Sequence, residues 1–176
     1  MSGHSRWSQI RHKKALTDKK RGQIFSKLSR LITLAAKKST DPKSNPPLSQ
    51  AIENAKNMNM PNENIERAIK KVSDKSQVQL EELSIEALGP GGVALKIKAI
   101  TDNRNRTMAE IKKILTENNS KLVQPGSLTW MFNLPTGRQA SPTPKLDQYA
   151  QETLDKLLEA LDDQDEIEDV FCNLAE

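Results

Sequence analysis

Eleven of the first 38 residues are Lys or Arg (Arg6, Arg11, Lys13, Lys14, Lys19, Lys20, Arg21, Lys27, Arg30, Lys37 and Lys38), and Asp18 alone opposes them, a balance of 11 − 1 = +10. The whole chain carries only +4. Cations at this density repel one another and need counter-charge from outside, and the polymer that supplies it is nucleic acid. Lys and Arg neutralise phosphates and release their counterions, which predicts affinity that falls steeply with salt. Phosphate contacts set position without reading sequence, so the charge alone names no target. The sharper cluster is His4, Ser5, Arg6 and Trp7, behind Gly3. There Arg6 can make a bidentate contact with a phosphate or a guanine, and Trp7 or His4 can stack on a base. The other reading has Trp7 closing a helical core and His4 at a frayed terminus. Arg11, His12, Lys13, Lys14, Lys19, Lys20, Arg21 and Lys27 extend the candidate nucleic-acid contacts.

A second pair of cations, Arg104 and Arg106, sits in Asp102-Asn103-Arg104-Asn105-Arg106-Thr107, where Asp or Asn would cap a helix. Cations in a first turn oppose the positive end of the helix dipole. A docked phosphate would relieve that, and so would pairing with acids such as Glu81 or Glu82, which is the expected arrangement. Gly89-Pro90-Gly91-Gly92 lacks the Lys-Ser/Thr of a phosphate-binding loop and reads as a turn between strands.

Catalytic chemistry finds little material. His4 and His12 are the only imidazoles, and no acid cluster with metal-ligand spacing stands near them. A metal-dependent nuclease built on either histidine with Asp18 is the third-ranked function. The lone Cys172 alternates with Val170 and Leu174, so it reads as core, and it excludes an internal disulfide or a Cys-rich zinc site. The acids Asp162, Asp163, Asp165, Glu166, Glu168 and Asp169 lack the Gly and ligand spacing of a calcium loop. They read as a solvated turn that keeps nucleic acid off its end of the molecule. No enzyme activity, metal, cofactor, small-molecule substrate or membrane partner is expected.

The elements that must position these groups follow from periodicity. Ile24, Phe25, Leu28, Leu31, Ile32 and Ala35 mark an amphipathic helix from Asp18 to Lys38, with Lys20, Lys27, Arg30 and Lys37 on its outer face. Residues 39–47 read as a loop. A second helix runs from Leu48 to Met58, with Leu48, Ala51, Ile52 and Ala55 inward. A third, capped by Asn62, turns Ile65, Ala68, Ile69 and Val72 inward. None can bury its stripe alone, so the three make a small bundle over 1–75, preceded by an irregular arm at 2–17. After a linker at 73–79 the period becomes two: Leu83, Ile85 and Ala87, then Val93, Leu95, Ile97 and Ala99. A helix to Glu117 follows, then a strand marked by Leu128, Trp130 and Phe132. Next come a helix over Leu146–Leu161 with Tyr149 inward and a last strand over Ile167–Leu174. This pattern predicts an α+β sandwich, helices on one face of a mainly antiparallel sheet, over 80–133 and 146–176. The Pro-rich stretch 134–145 interrupts it.

Composition bounds the same picture. In 176 residues, 35% apolar and 28% charged, there is room for one or two well-hydrated domains. Residues 1–75 hold 17 bases and 6 acids (+11), residues 76–176 hold 10 and 17 (−7), which suits a nucleic-acid face on one domain only. Aromatics at 3% argue against rows of stacked bases. No apolar run is long enough to span a bilayer, and a cytoplasmic compartment is expected. An Arg- and Ser-containing, acid-poor start also suits a mitochondrial presequence, but the apolar stripe of Ile24 to Ala35 argues for a folded helix.

The stretches GHSRW (3–7), IRHKK (10–14), DKKRGQIFSKL (18–28), NMPNENIERAIKK (59–71), GPGGVAL (89–95), TDNRNRT (101–107) and PGSLTWMF (125–132) together resemble the YebC family. That family includes bacterial proteins described as probable transcriptional regulators and a mitochondrial activator of cytochrome oxidase subunit translation. The resemblance runs collinearly from residue 2, which disfavours a cleaved presequence, and it gives the 3–7 motif a functional reading. It implies an N-terminal helical domain, a central α+β domain, and a third domain inserted into the central one. Here residues 134–145 stand where that third domain would be, and residues 146–176 are similar to the family's C-terminal end. The resemblance also implies a non-enzymatic regulator of gene expression. The first expectation is a translation factor that meets ribosomal or transfer RNA and relieves stalling, with the ribosome among its partners. The alternative is a DNA-binding transcriptional regulator at promoters.

Overall fold

In the computed structural model, the described residues are 18–73, 79–132 and 144–174, with their side chains apart from those of residues 18, 19 and 73. They fall into two compact units, one within Leu16–Glu81 with Ile100–Asp102, the other formed by Glu82–Ala99 and the chain from Asn103 onward.

The first unit is the expected bundle. Helix α1 spans Asp18–Ala36, α2 Pro46–Asn57 and α3 Asn62–Lys70, with a short 3-10 turn at Lys71–Ser73. Ile24, Leu28, Ile32 and Ala36 recur every fourth residue on α1 and are buried against Leu48, Ala51 and Ala55 of α2 and Ile65 and Ala68 of α3. Thr33 Oγ1, on the same helix, lies 2.8 Å from the Ser29 carbonyl and 2.9 Å from the Ala68 carbonyl, tying α1 to α3.

Helix α2 begins two residues earlier than its apolar pattern suggests. Pro46 and Pro47 occupy its first turn, where a missing N–H costs nothing and the fixed φ is already helical. Asn45 explains the start. Its Oδ1 accepts from Leu48 N at 3.2 Å, while its Nδ2 donates to the Ala35 and Ser39 carbonyls at 2.8 and 2.7 Å, so one buried side chain caps α2 and holds the preceding loop. At α3 the expected cap shifts by one. Asn62 is already helical, and Pro61 stands at the cap position with no side-chain bond, its carbonyl accepting from Asn64 N and Ile65 N.

The second unit has a four-stranded sheet in the order β3-β1-β2-β4, with β1 at Glu81–Leu88, β2 at Ala94–Thr101, β3 at Lys121–Leu122 and β4 at Ile167–Cys172. β3 runs antiparallel to β1, and β4 antiparallel to β2. Helices α4 (Arg104–Glu117) and α5 (Gln148–Asp162) share one core with the alternating residues Leu83, Ile85, Ala87, Leu95, Ile97 and Ala99. Both helices therefore cover the same face of the sheet, and the expected α+β architecture holds. Cys172 is buried in this core. β4 carries one extra residue at Glu168, because Lys98 pairs with Asp169 and Ala99 with Ile167.

Two expectations fail here. Leu128, Trp130 and Phe132 do not form a strand: Gly126 turns the chain at φ +85°, and Thr129–Met131 is a single 3-10 turn. The alternation misled because only Leu128 is buried, drawn in as its N–H donates to buried Glu86 Oε2 at 2.8 Å. The edge strand is instead the two-residue β3, which carries no apolar alternation to read. Tyr149 does not face the core but is 70% exposed, one position outside the stripe of Leu154, Leu157, Leu158 and Leu161. Asp147, rather than the apolar residues before it, sets where α5 starts, its Oδ1 accepting from Ala150 N at 2.7 Å.

Candidate nucleic-acid interface

The basic surface is built on α1, whose apolar stripe takes its inner side and leaves the rest to cations. Arg21 is exposed and Lys20 half-buried. Lys27 overturns its expected place on the outer face: it is only 4% exposed. The reason lies in the spacing. Residue 27 is three after Ile24 and four before Leu31, so it shares their side of the helix, and a lysine's four-carbon stem can lie along apolar neighbours. His4, Ser5, Arg6, Trp7, Arg11, His12, Lys13 and Lys14 lie outside the described residues, as do the side chain of Lys19, the 2–17 arm and the 134–143 part of the interruption.

The bundle adds cations that the N-terminal count overlooked. Lys43, Lys56, Arg67, Lys70 and Lys71 are all exposed, on the loop after α1, on the two shorter helices and at the start of the 3-10 turn that follows α3. Over residues 20–73 there are eleven bases and four acids, 11 − 4 = +7. The Lys70–Glu66 pair, 3.9 Å apart and well exposed on both sides, offsets little of this. The signal was available as α3's polar face, but it is diluted by Glu63 and Glu66 and disappears beside the first 38 residues.

At the start of α4 the cap is as expected: Asn103 Oδ1 accepts from Arg106 N at 3.1 Å. The arginine's partner is not. Arg106 Nη2 donates to Glu166 Oε1, and Thr107 Oγ1 donates to Glu166 Oε2. Glu166 is 7% exposed, so this part of the acidic stretch is no solvated turn but a buried anchor between α4 and β4. Gln164 fixes it, its Oε1 accepting from Glu166 N at 2.7 Å and Ile167 N at 2.9 Å, while its Nε2 donates to Glu110 Oε2 at 2.8 Å. Sequence distance hid the pair, since the partners are 60 residues apart. The charge that opposes the helix dipole is thus balanced within the fold. Arg104, two residues earlier, is exposed.

Gly89–Gly92 is a packed turn. Gly89 N donates to the Val93 carbonyl at 2.8 Å, and Gly91 and Gly92 hold φ of +66° and +79°. A Cβ on Gly91 would collide with Leu146 Cδ2. The glycines serve the approach of this turn to the residues leading into α5. Among the described residues, no group of three or more His, Cys, Asp and Glu is placed to hold a metal ion, and no helix is long and apolar enough to cross a membrane.

Known proteins resemble this chain along most of its length. Residues 5–75 match the TACO1/YebC protein N-terminal domain, and residues 80–137 match the TACO1/YebC second and third domain. A probable transcriptional regulatory protein of Halothermothrix orenii is 52% identical over 134 residues, which is 75% of this chain and 53% of that protein. Another, from Chlorobium phaeobacteroides strain BS1, is 47% identical over 170 residues, 94% of this chain and 68% of that protein. The chain thus spans about half the length of several curated relatives it matches, at 53% and 54% for those of Halothermothrix and Prosthecochloris aestuarii. The crystal structure of a conserved hypothetical protein from Aquifex aeolicus superposes with a TM-score of 0.84 at 30% identity, covering 97% of each chain. A basic helical bundle followed by a four-stranded α+β unit, with both parts matched in order, makes this chain a member of the TACO1/YebC family.

Proposed function

We propose that this protein is a non-enzymatic regulator of gene expression that binds nucleic acid through its basic N-terminal bundle and arm. One observation carries the proposal: the positive charge is concentrated toward the N-terminal end of the sequence, +10 in the first 38 residues and +7 over residues 20–73, two overlapping windows of a chain whose total is +4. The target proposed is RNA of the translation machinery, ribosomal or transfer RNA. The arm residues His4, Ser5, Arg6, Trp7, Arg11, His12, Lys13 and Lys14 are its first contacts, with Lys19, Lys20 and Arg21 continuing along α1. Lys27 is left out of this set because it is buried. Arg104 belongs as a flanking contact, while Arg106 acts through its hold on Glu166. With this goes a division of labour, the bundle over 1–75 making the main contacts and the α+β domain over 80–133 and 146–176 supporting them.

A second reading has its own support. The relatives from Halothermothrix and Chlorobium are named probable transcriptional regulatory proteins, which favours promoter DNA as the target of the same surface. Crosslinking the protein to nucleic acid in cells, and sequencing what is bound, separates the two. Recovery of ribosomal or transfer RNA, lost when Lys13 and Lys14 are both changed to Glu, supports the translation reading. Enrichment of discrete promoter segments over bulk DNA supports the other. Background recovery of every nucleic acid contradicts both.

A further inference from the structure

Three large apolar side chains stand in solvent among the described residues, Leu122, Trp130 and Tyr149. Trp130 is the bulkiest, and at 57% exposed it contributes little to any core. Yet it is firmly held. Its Nε1 donates to the Ser127 carbonyl at 2.9 Å, and Ser127 N and Oγ donate to the Gln124 carbonyl at 3.1 and 2.6 Å. Beneath the turn Glu86, 6% exposed, accepts from Leu128 N at 2.8 Å and from Thr129 Oγ1 at 3.2 Å. A buried carboxylate is costly unless its oxygens are bonded, and here they are bonded to the turn that carries the indole. Because the indole N–H is already satisfied, what the ring offers a partner is its π face rather than a donor.

The charge around it selects the partner. Residues 118–132, covering β3 and this turn, hold Lys121 and no acid, a balance of +1. Lys121 is exposed, and its pairing opposite Leu88 puts its side chain on the sheet face of Glu86, where the turn is anchored. Residues 144–174, covering α5 and β4, hold two bases against ten acids, 2 − 10 = −8. Because β3 and β4 are the two edges of the sheet, the unit is basic with an exposed aromatic ring at one edge and acidic at the other.

We infer that the β3 edge is a second nucleic-acid contact, in which Trp130 stacks on one unpaired base while Lys121, on the same side of the sheet as Glu86, meets a flanking phosphate. The low aromatic content fits this, since it allows a single stacking platform and not a row of them. The inference rests on the nucleic-acid reading above and narrows it: the substrate must present a looped or single-stranded segment, because a base inside a duplex offers no free face.

The test compares the full chain with Trp130→Ala and Trp130→Phe, by fluorescence anisotropy, on a mixed-sequence single-stranded oligonucleotide and on a duplex of equal length at one salt concentration. Loss of a stack predicts about 5- to 150-fold weaker single-strand binding for Trp130→Ala, duplex binding changed less than about twofold, and Trp130→Phe close to the parent. Parent-like single-strand binding by Trp130→Ala overturns the inference, and so does an equal loss on both substrates. A parent chain that binds neither substrate sinks the broader reading instead. Should Trp130→Ala fail to fold, the unaltered chain is crosslinked to a bromouridine-containing strand and the adduct mapped. An adduct on the peptide containing Trp130 supports the stack, and adducts confined to residues 1–38 overturn it.

Discussion

Glu166 sits in the most acidic stretch of the chain, yet the fold takes its carboxylate out of water and gives each oxygen a donor, Arg106 on one side and Thr107 on the other. Its removal takes this acceptor from the Arg106 guanidinium and leaves the Thr107 hydroxyl its bond to the Asn103 carbonyl at 3.1 Å, so two hydrogen bonds to a charged group are lost. Glu166→Ala is expected to lower stability by roughly 1.5–3 kcal/mol, discounted toward the low end because the Arg106 side chain is half exposed. Glu166→Gln, which keeps one acceptor oxygen, should cost less. Urea unfolding of the two variants beside the parent checks this, and a loss below about 0.5 kcal/mol for the alanine would contradict it. Composition could identify this residue only as one acid among six. Its role is set by a partner 60 positions away, which no local pattern records.

At the scale of elements, the strongly periodic pieces were legible and the aperiodic ones were not. The four-residue recurrence of Ile24, Leu28 and Ile32 and the alternation of Leu83, Ile85 and Ala87 each declare a period, and each element formed where expected. β3, two residues long, has no period to declare. The 124–132 turn mimicked one, because a buried leucine and an exposed tryptophan two residues apart look alike in a hydropathy pattern. The glycine-rich turn was read correctly as a turn, but its tightness comes from Leu146, far along the chain. That yields a paired prediction. Gly92→Ala meets nothing within 4 Å and should cost about 1 kcal/mol for its left-handed backbone alone. Gly91→Ala carries the same backbone cost and in addition displaces Leu146, about 1–3 kcal/mol more. Thermal melts of the two variants should therefore separate, and equal melting temperatures would show that Leu146 yields freely.

For the whole molecule, the asymmetry of charge was plain in the sequence, and its distribution within each unit was not. The bundle's cations spread onto α2 and α3, while Lys27, counted among the contacts, is buried. The α+β unit, net acidic as a block, is basic along the β3 edge. Both corrections follow from folding, which sorts by surface position what composition only sums. The account predicts that this protein meets a polyanion through several phosphates at once. The most direct measurement is the dissociation constant for a generic RNA or DNA duplex over a salt series. Binding that weakens with a log–log slope of about −3 or steeper, at roughly 0.9 per phosphate, is the expected result. A slope near zero, or no binding at low salt, would contradict the central claim.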